Sequence, residues 1–208
     1  MKLIDIPVVY ICPDNNEKYK ARKTHMDTLL NTIGFKDIRH FKSGTEKYPT
    51  CLVKATISIL KENMNDEPVL ILEDDILPFL ELNSLTEIEF LEDTDAFYLG
   101  FSMYGGSKVN NIFDGPSIIE KISSNHIRIK NMLSAHAIIY KSSKYKEDII
   151  DTLYSIIDKP GYYNDVCISR RQNLYNVHAY YYPLFYQASI FPGNTKHVEY
   201  ATRFKYNL

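Results

Sequence analysis

The sequence predicts an α/β fold: a mostly parallel central sheet flanked by helices on both faces. Three observations predict it. Residues 6–78 alternate strand-like and helix-like segments in a β-α-β-α-β series, the signature of such a sheet. Val69-Leu70-Ile71-Leu72 is an aliphatic run too short for a helix core, and it reads as a strand buried on both faces. That run stops abruptly at Glu73-Asp74-Asp75, at the carboxyl end of a strand, where open α/β sheets bind their ligands.

Taken in order, residues 6–11 read as the first strand, ended by the turn cluster Cys12-Pro13-Asp14-Asn15-Asn16. Residues 17–33 form a helix with Met26, Leu29, Leu30 and Ile33 at helical spacing and Gly34 as its stop. Residues 38–41 make a short strand, 42–49 a polar loop and 50–63 a second helix with an apolar side. After the acidic strand, residues 79–91 are expected as a short acidic helix and 96–101 as a strand. Residues 102–125 are rich in Gly and Asn and read as a mobile lid, with a small strand at 118–122. Strands at 126–129 and 135–140, helices at 143–157 and 164–171, and a last strand at 179–186 with Pro183 inside complete the reading.

The 208 residues fit one domain of ordinary to large size, with apolar and charged shares usual for a soluble globular protein. A net charge of −2 without a basic stripe gives no case for nucleic acid. Cys12, Cys51 and Cys167 are scattered and odd in number, neither a disulfide framework nor a metal site, which points to a reducing compartment. No run approaches the length that spans a bilayer. A cytoplasmic location is therefore expected.

Alternation along the strand sends Glu73 and Asp75 to one side and Asp74 to the other. Carboxylates so crowded are costly unless a cation neutralises them, and hard divalent ions prefer oxygen ligands. The acids therefore suggest a divalent metal with a phosphate-bearing ligand; a strand-to-loop junction without metal is the plainer alternative.

The segment from Tyr48 to Pro78, in which a helix runs directly into VLILEDDILP, resembles the lipopolysaccharide-type and procollagen galactosyltransferase-like glycosyltransferases of the GT-A fold. Their hhhLEDD sequence is a version of the DXD metal motif. Phe97-Tyr98-Leu99-Gly100, Tyr163-Asn164-Asp165 and Tyr182-Pro183-Leu184-Phe185-Tyr186-Gln187 resemble further family segments in the family's order. A small glycosyltransferase domain of a large algal DNA virus, acting on capsid glycans, is similar in length and layout. The chain departs from the family after the first strand, where Cys12-Pro13 stands for Asn-Leu, and in the helix before the acids, which reads Val53-Lys54-Ala55-Thr56 where the family often has Ser-His.

The resemblance implies a single Rossmann-like GT-A domain over residues 1–208, with a nucleotide-binding half to about residue 100 and an acceptor half beyond. It implies sugar transfer from a nucleoside diphosphate sugar, a UDP-sugar favoured, to a glycan or glycoprotein acceptor. Asp75 would bind Mn²⁺ or Mg²⁺ directly, Glu73 would hold a metal water or the ribose, and His197 is the candidate C-terminal ligand. The backbone of Val9, Tyr10, Cys12 and Pro13 would meet the base. Arg22, Lys54, Asp74 and Gln187 would serve the rest of the donor. Ser102, Tyr104, Gly105 and Asn164 would line the sugar and acceptor site.

Asp165 stands where related folds place the general base, with helix N-cap as the competing role. His136 is either a sugar contact or a satisfied core histidine. Inversion is expected, since Asp165 offers a base and no nucleophile flanks the sugar site.

Two readings compete. A sugar-1-phosphate nucleotidyltransferase shares the α/β layout but usually opens with a Gly-rich basic loop, absent after Ile11. The other is a non-catalytic nucleotide-sugar or glycan-binding module. A phosphoreceiver domain fails because the next strand ends in Leu99-Gly100-Phe101 with no acceptor Asp, and a DxDx(T/V) phosphatase fails because Ile76 and Leu77 follow Asp75.

Overall fold

A computed structural model describes residues 1–79, 81–101, 117–157, 159 and 162–188. Ten strands and four α-helices follow one another among them: β1 (Val8–Ile11), α1 (Glu17–Ile33), β2 (Ile38–Phe41), α2 (Thr50–Glu62), β3 (Val69–Glu73), β4 (Ile76–Pro78), β5 (Ala96–Tyr98), β6 (Ile118–Lys121), β7 (His126–Lys130), β8 (Ala137–Tyr140), α3 (Ser143–Tyr154), α4 (Asn164–Arg171), β9 (Val177–Tyr180) and β10 (Phe185–Gln187). Eight strands form one sheet in the order β2-β1-β3-β8-β5-β9-β7-β6. β1 pairs in parallel with β2 and β3, and β5 with β9; β8 and β7 run against their neighbours. Six of the eight strands therefore point one way, as the sequence pattern predicts.

Side chains of each central strand alternate between two cores. Val8, Tyr10, Leu70, Leu72, Phe97 and Ile139 pack with Met26, Leu30 and Ile33 of α1 on one face. Val9, Ile11, Val69, Ile71, Tyr98 and Ile138 pack with α2, α3 and α4 on the other. This double coverage is why β1 and β3 read as continuous apolar runs. The first helix starts where Asn16 Oδ1 accepts the Tyr19 N–H at 3.1 Å and stops where Gly34 takes φ 96°, a backbone conformation that suits glycine.

Three expectations need correction. Residues 81–91 form no helix. Asn83 Oδ1 accepts the Leu85 N–H at 2.9 Å and Thr86 Oγ1 the Asn83 N–H at 3.1 Å, and these local bonds displace helical ones. The same segment lies along the N-terminus, with Leu3 N donating to Thr86 O and Ile88 N to Met1 O. The strand expected at 179–186 is two strands, because Pro183 has no N–H for a ladder. Leu184 and Phe185 both donate instead to Leu99 O, and β10 turns to pair antiparallel with β4, setting Gln187 opposite Ile76. Finally, β8 begins at Ala137, so His136 precedes it. The lid expected at 102–125 falls mostly at residues 102–116, outside the described residues.

Candidate functional site

The carboxyl ends of β1, β2 and β3 open into a cavity of about 480 Å³, whose lining includes Ile11, Pro13, Ser43, Glu73, Asp74, Asp75 and Gln187. Strand β3 ends at Glu73, and Asp74 and Asp75 form the turn into β4. All three acids line the one cavity, although alternation along a strand would send Asp74 to the other side. Gln187 Nε2 donates to Glu73 Oε2 at 3.0 Å and lies 3.4 Å from Asp75 Oδ1, so one amide joins two carboxylates. Asp74 turns to Arg22, whose Nη1 lies 2.7 Å from Asp74 Oδ1 and 3.6 Å from Asp75 Oδ2. All three side chains of that buried cluster are less than a tenth exposed.

Burial, followed by the charges of Asp75, Asp165 and Asp74, holds the Glu73 carboxyl well above its usual pKa, with Arg22 acting against the rise. Burial also raises Asp74, although Arg22 pulls it down. Burial and mutual repulsion thus penalise the charged forms of Glu73 and Asp74. That penalty fits a divalent cation, as does the all-oxygen chemistry of Glu73 and Asp75. Among the described residues no three His, Cys, Asp or Glu side chains gather into a metal cage. Two carboxylates with ligand oxygens completing the shell is how Mg²⁺ is usually held beside phosphates.

The structure brings together Pro13, Arg22, Glu73, Asp74, Asp75 and Gln187 of the residues singled out from sequence. The others take different places. Tyr10 is fully buried on the α1 face, donating to Asp27 Oδ1 at 2.5 Å and stacking on His40, so its side chain is turned away from the cavity. The Cys12 side chain meets both Tyr19 O, 3.3 Å from Sγ, and the Asp74 carboxyl, and burial pushes its thiol up to about 12. Val9 packs in the opposite core. Lys54 lies on the outer face of α2, 2.8 Å from Glu46. His136 is buried, with its ring against Gly100 and its carbonyl accepting the Glu73 N–H at 3.0 Å. Asn164 is buried at the start of α4. Asp165 is in the first turn of α4 and is not its N-cap, which is Tyr163; its Oδ1 accepts the Val166 N–H at 2.8 Å. Ser102, Tyr104, Gly105 and His197 lie outside the described residues.

Sequence reasoning missed Lys18, Tyr19, Ser43, Tyr48, Cys51 and Leu52 in the lining. The first two were legible in principle, because they lie one helical turn before Arg22 on α1. Both Lys18 Nζ, at 5.3 Å, and the Arg22 guanidinium, at 5.8 Å, stand over the Tyr19 ring.

A glycosyltransferase involved in the glycosylation of the major capsid of PBCV-1 is similar over 97% of this chain and 98% of its own, with a TM-score of 0.51 at 11% identity. The fold is GT-A-like. At that identity the likeness is one of architecture. A197 from STIV is similar at TM-score 0.41 and 13% identity, over 88% of this chain and 86% of its own. The CTP:phosphocholine cytidylyltransferase of Streptococcus pneumoniae is similar at TM-score 0.43 and 8% identity, over 88% and 93%. No protein-family model and no curated protein matches the sequence. Among the described residues no helix is long and apolar enough to cross a membrane.

Proposed function

We propose that this chain is a metal-dependent glycosyltransferase that moves a sugar from a nucleoside diphosphate to a glycan or glycoconjugate. The observation that carries the reading is the clustered triplet Glu73-Asp74-Asp75 lining a cavity at the carboxyl ends of β1 and β3 in a GT-A-like sheet. In this reading Asp75 and Glu73 hold Mn²⁺ or Mg²⁺. The cation, when bound, offsets the charge that develops on the diphosphate as the sugar leaves.

Arg22 fixes Asp74 and restrains Asp75, and Gln187 keeps Glu73 and Asp75 facing each other until the donor arrives. The nucleoside lies along Ile11, Pro13 and Tyr19, whose ring supplies a face for the base. Asp165 is near enough to add its charge to those felt at Glu73 and Tyr48. It takes the proton of the acceptor hydroxyl, and attack from that side inverts the sugar carbon.

The test is turnover of UDP-sugars with and without Mn²⁺, read as release of UDP. Wild type is expected to release UDP only with the metal. Asp75→Asn abolishes release, and Asp165→Asn slows transfer by about 10²–10⁴-fold. Pyrophosphate release from a nucleoside triphosphate and a sugar 1-phosphate would instead make the chain a nucleotidyltransferase. Binding without either reaction would make it a binding module.

A further inference from the structure

A second cavity of about 450 Å³ lies between the start of α2 and residues that follow α3 and precede α4. Its floor is apolar, from Val53 and Ile156, and its rim carries Tyr48, Tyr163, Lys47 and Lys159. Tyr48 is also in the lining of the carboxylate cavity, so the two spaces share a wall. The Tyr48 and Tyr163 rings stand 5.8 Å apart at 42° and are 64% and 40% exposed.

Among the described residues no carboxylate lines this second space, whereas three line the first. We propose that it is the acceptor site and that it selects an anionic saccharide, one bearing a carboxylate or phosphate. The proposal rests on the transferase reading above and adds to it the chemistry of the acceptor.

Three features support the assignment. Two exposed tyrosine rings over an apolar floor offer what the C–H face of a pyranose covers, and their hydroxyls can meet its polar edge. The two lysines give an anionic group a favourable end, and the three acids next door make the other end unfavourable. An anionic sugar is thereby oriented, with its charge at Lys47 and Lys159 and its uncharged hydroxyls toward the shared wall. Asp165, two residues after Tyr163, acts electrostatically on both Tyr48 and Glu73, which places a proton acceptor near the junction of the two spaces. A neutral glycan would use the tyrosines but leave the lysines without purpose.

The experiment is ligand-observed NMR titration of the full chain with methyl β-D-glucuronide against methyl β-D-glucoside, and with glucose 6-phosphate against glucose. At low salt the anionic member of at least one pair is expected to bind about 5-fold tighter, the scale of one or two partly exposed charge contacts. Which pair shows it tells carboxylate from phosphate. Lys47→Gln with Lys159→Gln should erase the preference while leaving the weak binding of the neutral sugars. Tyr163→Ala should weaken both members of a pair alike.

Equal binding within both pairs overturns the proposal, as does a preference that survives the double lysine change or no binding of either anionic probe. Titration of UDP with Mn²⁺ on the same variants keeps the two readings apart. Loss of the anion preference with intact nucleotide binding fails only the acceptor assignment, and the reverse fails only the donor site.

Discussion

Replacing Arg22 by Met tests the electrostatic design of the site. The guanidinium is the main neighbour that pulls the raised Asp74 carboxyl downward, at 2.7 Å, and it also reaches Asp75 at 3.6 Å. Breaking a buried pair by removing one partner leaves an uncompensated charge and costs about 3–5 kcal/mol. With a urea slope of about 2 kcal/mol/M, the midpoint falls by about 1.5–2.5 M. Far-UV circular dichroism is the suitable probe, because the chain has no tryptophan. Asp74→Asn on its own leaves Arg22 the Asp75 carboxylate and costs less, about 1–3 kcal/mol. The double variant is less destabilised than the sum by at least about 1 kcal/mol.

The penalty also depends on pH. A carboxyl whose folded pKa is raised binds protons more readily in the native state, so stability falls as pH climbs from the unfolded value through the folded one. Removing Arg22 extends that window upward, and the Met variant loses less stability at about pH 5 than at about pH 8. Additive single changes, or a midpoint shift below about 0.3 M, would refute the coupling of Arg22 to the acids.

Two further predictions concern the frame. Lys146 is fully buried with Nζ donating to Asn65 O at 2.7 Å and Glu67 O at 2.6 Å, and burial lowers its pKa to about 8. The unfolded chain therefore binds more protons above that pH. Stability gains up to about 3 kcal/mol from this group between about pH 8 and about pH 10.5, and Lys146→Met removes that gain in urea midpoints compared with wild type. Gly100→Ala would place a Cβ 2.1 Å from His136 Nε2 and 2.9 Å from the backbone oxygen of Phe185. Overpacking of this kind costs about 1–3 kcal/mol, seen as a lower Tm in a thermal melt; an unchanged Tm would mean that both His136 and the Phe185 backbone shift at little cost.

Much of the frame was legible because local signals and packing agree. Asn16 and Gly34 bound a helix that runs from Glu17 to Ile33, and the unbroken Val69–Leu72 run matches a strand covered on both faces. The acid triplet and Gln187 were legible as residue types at a strand end. What pairs with them was not, because the contact of Arg22 with Asp74 spans 52 positions and that of Gln187 with Glu73 spans 114. The expected helix after Pro78 failed for a local reason, the Asn83 and Thr86 side-chain bonds, reinforced by the N-terminal segment lying against it. Only the backbone of Tyr10 and Cys12 was expected to meet the base. Strand alternation, applied as it was to the acids, turns both of their side chains toward α1.

The most direct test of the central claim is calorimetric titration of UDP into the protein, with and without Mn²⁺, on wild type and on Asp75→Asn. The account predicts micromolar binding that requires both the metal and the Asp75 carboxylate. Equal affinity in all four titrations, or no binding to a wild-type protein shown to be folded, would contradict it and leave the acids at the end of β3 as architecture.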